Sequence, residues 1–303
     1  MYLYHFGFKE LPFGLTPDTS FFCDLPIHVE AFNVLSVAIA TGEGFVKIIG
    51  EVGTGKTLLC RQVLNHMEKA HRIAYFPNPY LTPEALRFSL ASELGMRVNK
   101  DLDQATLTEK ISRKLIQLNQ QGKPVLLLVD EAQALPDESL EALRLFTNLE
   151  TEKRKLLQVV LFAQPELDTR LAKPHLRQLR QRITFSYQLT PLTLEQTKRY
   201  VMHRIQAAAM DKHQASHLQL SPWAWRLLHK TSRGIPRLIN ILTHKALMLV
   251  YGENAMKIRR KHIVLAAKDT DDVQPFFSWL QFSFWTPLMI VSFYLSQYDW
   301  GIL

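Results

Sequence analysis

The sequence predicts an α/β fold: a parallel sheet with helices on both faces, followed by a smaller all-helical unit. Three observations predict it. Apolar runs of strand length at 45–49, 72–76, 125–129 and 156–162 alternate with stretches of helical periodicity, the pattern of repeated strand–helix crossovers. Two of these runs end in residues suited to phosphate and to a cation: a Gly-rich octapeptide follows the first, and Asp130-Glu131 follow the third. At Thr190-Pro191 the alternation stops, and from Thr193 to about Asp269 only helical signals remain.

Each element follows in order. The opening segment to Phe32 is rich in aromatics and prolines and reads as an ordered loop packed on a neighbour; part of it could wall a nucleotide base, with plain packing as the alternative. A helix is expected over 29–41, ended by Gly42-Glu43-Gly44, and then the first strand. The next helix covers about 56–70, and strand 72–76 stops at Pro77-Asn78-Pro79. Thr82-Pro83 opens a helix with Thr as N-cap and Pro in the first turn, and a further helix over 106–121 stops at Gly122-Lys123-Pro124. Strand 125–129 is apolar throughout, as burial on both faces requires. A helix over 136–149 precedes strand 156–162, which runs into Ala163-Gln164. Helical turns bearing Arg177, Arg180 and Arg182 lead to a short strand, 183–189. The remaining helices are expected at 194–210, 222–232, 236–251 and 260–268, and Pro236 sets Arg237 on a rigid first turn able to point across a cleft.

The chemistry sits at the strand ends. Gly50-Glu51-Val52-Gly53-Thr54-Gly55-Lys56-Thr57 fits G-x-x-x-x-G-K-[ST], a loop whose glycines aim backbone N–H groups at phosphates while the following helix adds its positive end. The ligand expected is ATP with Mg²⁺. Contacts run from Gly50 through Leu58, Lys56 bridges the β- and γ-phosphates, and the Thr57 hydroxyl holds the metal. The alternative is a Gly-rich turn matching by chance. Asp130, 74 residues beyond Lys56, would complete the Mg²⁺ shell, and Glu131 stands where a base could polarise water. Taken alone, two acids after a strand also read as a solvated loop or a helix cap.

Length and charge bound the rest. The 303 residues suggest two domains and a tail, divided 1–190, 191–270 and 271–303, and 47% hydrophobic content supports a sizeable core. A balance of 36 Lys+Arg against 28 Asp+Glu, +8 net, suits an acidic partner, whether nucleic acid, nucleotide or an anionic lipid surface. Cys23 and Cys60 have no metal-type spacing and no signal peptide is visible, so a reducing, cytosolic body is expected. Cys60 reads as a small buried apolar residue on the phosphate-loop helix.

In this order, the loop, the acidic strand end, the Gln-ended strand, the Arg cluster and the Gly-Ile-Pro-Arg helix resemble an AAA+ ATPase. More narrowly, Tyr2-x-x-x-Phe6-Gly7-Phe8 and Pro12-Phe13-x-Leu15-Thr16-Pro17-Asp18 of the opening segment, Asp130-Glu131-Ala132-Gln133, Gln164-Pro165-Glu166-Leu167, Leu176 to Ile183 and Gly234 to Asn240 are similar to the general secretion pathway protein A (ExeA-like) family. Its short form, without a peptidoglycan-binding domain, is similar to the ATPases that serve mannose-sensitive haemagglutinin (MSHA) type IV pili. The resemblance implies an AAA+ parallel sheet with a helical lid. By it, Gln164 is a sensor of water or γ-phosphate, Arg237 a second sensor on the lid, and Arg182, with Arg177 as understudy, a finger offered in trans within a homo-oligomer. Each Arg could instead form a surface salt bridge. It further implies ATP hydrolysis coupled to pilus or secretion assembly proteins at a bacterial inner membrane. The chain departs from the family pattern in having Ala163, not Gly, before Gln164.

The last stretch bears on location. Residues 276–295 carry no charge, and as a helix they would span about 30 Å, so a single C-terminal apolar helix is expected to cross the membrane once, in contact with its lipid. Arg259, Arg260, Lys261 and Lys268 precede it and no Lys or Arg follows, which places the body in the cytoplasm. An interfacial helix or an oligomer contact is the alternative for that stretch. Two other functions stay open: a DNA-associated ATPase, or a switch with little turnover.

Overall fold

The computed structural model describes residues 2–77, 79–99, 102–147, 150, 155–211 and 218–273. The chain opens with α1 (Tyr2–Phe6) and a 3-10 turn (Thr19–Phe21), then α2 (Pro26–Thr41), β1 (Phe45–Gly50), α3 (Lys56–Met67), β2 (Arg72–Phe76), α4 (Pro83–Glu93), α5 (Gln104–Gln120) and β3 (Val125–Val129). It continues through α6 (Asp137–Phe146), β4 (Leu157–Ala163), α7 (Glu166–Leu171), α8 (Arg177–Arg182) and β5 (Ile183–Leu189). After β5 come α9 (Leu194–Ala208), β6 (Gln219–Leu220), α10 (Pro222–Ser232), α11 (Pro236–Gly252), β7 (Lys257–Ile258) and α12 (Arg260–Lys268).

Five strands form one parallel sheet in the order β2-β3-β4-β1-β5. The apolar strands are apolar because both faces are covered. On β3, Val125, Leu127 and Val129 join the core under α4, α5 and α6, while Leu126 and Leu128 join the core under α2 and α3. Edge strand β5 alternates instead, exposing Thr184, Ser186 and Gln188 between partly covered Phe185 and Tyr187. One polar side chain is buried in the sheet: Gln158 on β4 donates to the carbonyls of Ile39, at 3.1 Å, and Glu43, at 3.0 Å, and so ties down the end of α2. The chain leaves β1 toward β2 and leaves β4 toward β5, in opposite directions. A crevice therefore opens at the carboxyl ends of these neighbours.

Beyond Leu189 the helices α9 to α12 build a separate hydrophobic core. Two features differ from the expectation of helices alone. Gln219–Leu220 and Lys257–Ile258 pair in parallel, too short a ladder to leave a periodic signal. The aromatic opening segment also packs here: Tyr2, Phe6, Phe8, Phe13 and Phe21 share this core with Tyr200, Ile205 and Ala246, and Phe8 bridges Ala209. Buried Arg204 fastens the strap, its Nε donating to the Pro12 carbonyl and its guanidinium lying 4.8 Å over the Phe21 ring. The tail expected to form an apolar helix lies in residues 274–303, outside the described residues. Among the described residues no helix is long and apolar enough to cross a membrane.

Gly234 packs the turn before α11 against the start of the lid, beside Leu192. Its φ is +72°, its carbonyl accepts from the Leu192 amide at 2.9 Å, and a Cβ on it would lie 2.1 Å from the Leu192 carbonyl oxygen. Gly234→Ala is expected to destabilise the protein by about 2 kcal/mol or more in a denaturant melt, since the clash is with backbone. Gly252→Ala is the control: nothing lies within 4 Å of its Cβ position, so the same melt should be unchanged or slightly more stable.

Candidate nucleotide site

The octapeptide forms a loop between β1 and α3, at the crevice. Gly53 (φ +80°) and Gly55 (φ +101°) take left-handed conformations, and the Thr54 hydroxyl closes the turn on the Glu51 carbonyl at 2.8 Å. The loop is close-packed from outside. A Cβ at Gly55 would meet His28 Nε2 at 3.1 Å, and one at Gly50 would meet Thr54 Oγ1 at 2.7 Å. His28 donates from Nε2 to the Thr54 carbonyl at 3.1 Å, which fixes that tautomer.

Lys56 is buried, and its ammonium donates to the carbonyls of Gly50 at 2.8 Å and Glu51 at 3.0 Å. Burial pushes its pKa down, against the pull of the Glu131 and Asp130 carboxylates. A buried cation held only by carbonyls, at a loop whose glycines leave no room for side chains, fits the phosphates of a nucleotide. Asp130 is buried at the end of β3, and desolvation pushes its carboxyl up despite a hydrogen bond from Thr57. A desolvated carboxylate beside a hydroxyl is a donor pair of the hard-oxygen type that Mg²⁺ takes.

Glu131 follows in a left-handed conformation, φ 52°, unusual for a residue with a side chain. That backbone turn aims it back toward β4. Its Oε2 accepts from Gln164 Nε2 at 2.8 Å and from Gln133 Nε2, and Gln133 Oε1 in turn accepts from the Gln164 amide at 3.0 Å. Gln133 thus ties the two expected residues together. In the sequence Gln133 stands only as the last residue of Asp130-Glu131-Ala132-Gln133, and an amide two residues past the carboxylate is the available signal. Arg170 on α7 was missed altogether. It donates to the carbonyls of Gln133 at 2.7 Å and Leu135 at 2.6 Å and pairs with Asp137, whose carboxyl it holds below the usual range.

The lid completes the crevice. The Arg237 amide, on the first turn of α11, donates to the Gly53 carbonyl at 3.2 Å. A cavity of about 320 Å³ lies between, lined by Val52, Gly53, Gly55, Lys56, Thr57, Leu58 and Glu131 from the sheet side. Pro236, Arg237, Asn240, Tyr200 and Arg204 line it from the lid, and Gly14 to Asp18 of the N-terminal strap form its outer wall. There the expected base-walling segment lies.

The three arginines of α8 stand apart from this cavity. Ile183 pairs with Phe45, the first residue of β1, whereas the phosphate loop follows its last residue. Arg182 therefore sits at the opposite edge of the sheet, about 20 Å away at strand rise, with Arg177 and Arg180 exposed on the helix before it. None of them can reach the nucleotide cavity of its own chain.

Residues 39–171, from the end of α2 through α7, match the family model described as AAA domain. With the helical lid seated on the phosphate loop, the fold and site define an AAA+ nucleotide-binding protein. Within that class the chain is similar to the general secretion pathway protein A family: it is 39% identical over 279 residues to General secretion pathway protein A of Aeromonas hydrophila, a match that covers 92% of this chain and 50% of that protein. The chain spans about half the length of this relative. Among solved structures, the Aeropyrum pernix ORC2 protein in ADPNP and ADP complexes is similar in fold, with TM-score 0.63, 14% identity, and coverage of 88% of this chain and 72% of that one. The Aeropyrum pernix ORC1 protein in complex with DNA follows with TM-score 0.60, 19% identity, and coverage of 86% and 69%.

The charge balance has a checkable consequence. A carboxyl whose folded pKa is raised stabilises the fold below its unfolded pKa, and that contribution is lost as pH rises through the folded value. At neutral pH, charged Asp130 therefore costs stability. Asp130→Asn is expected to raise the melting temperature of the nucleotide-free protein at neutral pH, to leave it nearly unchanged in acid, and to weaken nucleotide binding in Mg²⁺.

Proposed function

We propose that the protein is a Mg²⁺-dependent ATPase on the cytoplasmic face of a bacterial inner membrane. It couples ATP binding and hydrolysis to assembly of a type IV pilus of the MSHA kind, or of a related secretion machine. One observation carries the ATPase reading: Lys56, Glu131 and Arg237 line a single cavity, and Glu131 accepts a hydrogen bond from Gln164. Its similarity to a secretion-pathway protein supports the process, and the uncharged stretch 276–295 supports the membrane location.

The chain's own residues divide the work. Backbone amides of Gly53 to Lys56 and the start of α3 bind the phosphates, and Lys56 exchanges its carbonyl partners for phosphate oxygens. Mg²⁺, held by Thr57 and Asp130, would neutralise charge on those oxygens. Glu131, released from Gln133, takes the proton of the attacking water while Gln164 keeps that water oriented. Arg237 reports occupancy to the lid through α11. Arg182, too far from its own cavity, completes the cavity of a neighbouring copy, so hydrolysis is coupled to assembly of a homo-oligomer.

Lys56→Ala should abolish ATP binding in calorimetry, whereas Glu131→Gln should bind ATP and lose turnover; equal loss of affinity in both would show Glu131 misassigned. Arg182→Ala should bind ATP as the wild type does and lose about 10³-fold in hydrolysis in the assembled state. Mixing it with Lys56→Ala should restore activity, since the second variant lends its arginine to the first. Mixed oligomers without recovered hydrolysis would contradict the shared site.

A further inference from the structure

The outer face of α10 carries a second chemical feature that nucleotide binding does not use. Trp223 is 65% exposed, and the Arg226 guanidinium lies 5.3 Å from its ring centre. Trp223, Arg226, Leu227 and Lys230 fall at helical spacing along one stripe, and Arg260 at the start of α12 joins them around a shallow groove of about 560 Å³. Arg259 is exposed next to Arg260, and the described residues that line the groove are cationic or apolar. A largely exposed indole among cations is costly to leave in water and gains by burial at an interface that is apolar on one side and anionic on the other.

We propose that this face docks on an anionic lipid bilayer, the indole at headgroup depth and Arg226, Lys230 and Arg260 on lipid phosphates. The inference rests on the membrane reading of the proposed function and gives it an orientation. The path of the chain supports it. Arg233, which ends α10, donates to the Asp272 carbonyl at 3.5 Å, so the chain passes this helix immediately before entering residues 274–303, which carry no Lys or Arg. The groove end of α10 is about 15 Å from that point at helical rise, so tail and patch can meet one surface. A nucleic-acid duplex would match the charge of the face but offers the exposed indole no apolar layer to enter.

Full-length protein is tested on neutral phosphatidylcholine vesicles and on vesicles containing phosphatidylglycerol, both with brominated acyl chains. Flotation on neutral vesicles reports the tail. The emission that Trp223→Phe removes reports the patch. The proposal expects that component to be quenched on anionic vesicles only, and Arg226→Glu to weaken the salt-sensitive part of binding about tenfold or more. Flotation on both vesicles with the Trp223 component unquenched would overturn the patch while leaving the tail reading intact. Absence of flotation on either would overturn both. Duplex DNA binding that Arg226→Glu abolishes, again with Trp223 unquenched, would assign the face to nucleic acid and overturn the lipid proposal.

Discussion

The lid reaches the phosphate loop because residue 53 has no side chain. A Cβ at Gly53 would lie 2.4 Å from that of Arg237 and 3.3 Å from Ile235 Cγ2, and the Gly53 carbonyl would lose the amide that now caps it. The same φ of +80° that turns the backbone toward a phosphate thus also opens the space into which α11 docks. Phosphate binding and lid position are therefore not separate properties of this chain. A loop that shifts by a few tenths of an ångström moves the first turn of a 17-residue helix, and with it the core that α11 shares with α9, α10 and α12.

Around that contact the charges are arranged at a cost. Lys56 and Asp130 are both buried, each shifted by desolvation toward its neutral form, and neither has a full counter-ion within hydrogen-bond distance among the described residues. Such a pair spends fold stability on a geometry that a ligand with phosphates and a divalent cation would relieve. Glu131 is held differently. Two glutamine amides satisfy its carboxylate, a resting arrangement that must open before the group can accept a proton.

Much of this was legible in the chain. Strands β1 to β4, the phosphate loop and the acids after β3 were readable because these strands are short apolar runs ended by residues with few other uses, and cover on both faces removes ambiguity of period; β5 was readable from its alternation instead. What was not legible depends on contacts distant in sequence. That the opening aromatics pack with the lid core needs Phe8 beside Ala209 and Arg204 on the Pro12 carbonyl, about 200 residues apart, and no local pattern encodes that pairing. The two-residue strands β6 and β7 are shorter than any periodic signal. The distance of Arg182 from its own cavity follows from the register of β5 on β1, which only the sheet order reveals. Gln133 was visible as a letter in a motif, but its role follows from the left-handed turn at Glu131.

The claim at the centre of this account is that phosphate loop and lid respond to nucleotide as one unit. Amide hydrogen exchange with and without Mg²⁺-ATP, read at residues 51–57 and 234–240, tests it most directly. The account predicts that both segments gain protection together at the same nucleotide concentration, and that Lys56→Ala removes both responses. Protection of the loop with no change at 234–240, or of the lid in Lys56→Ala, would contradict it.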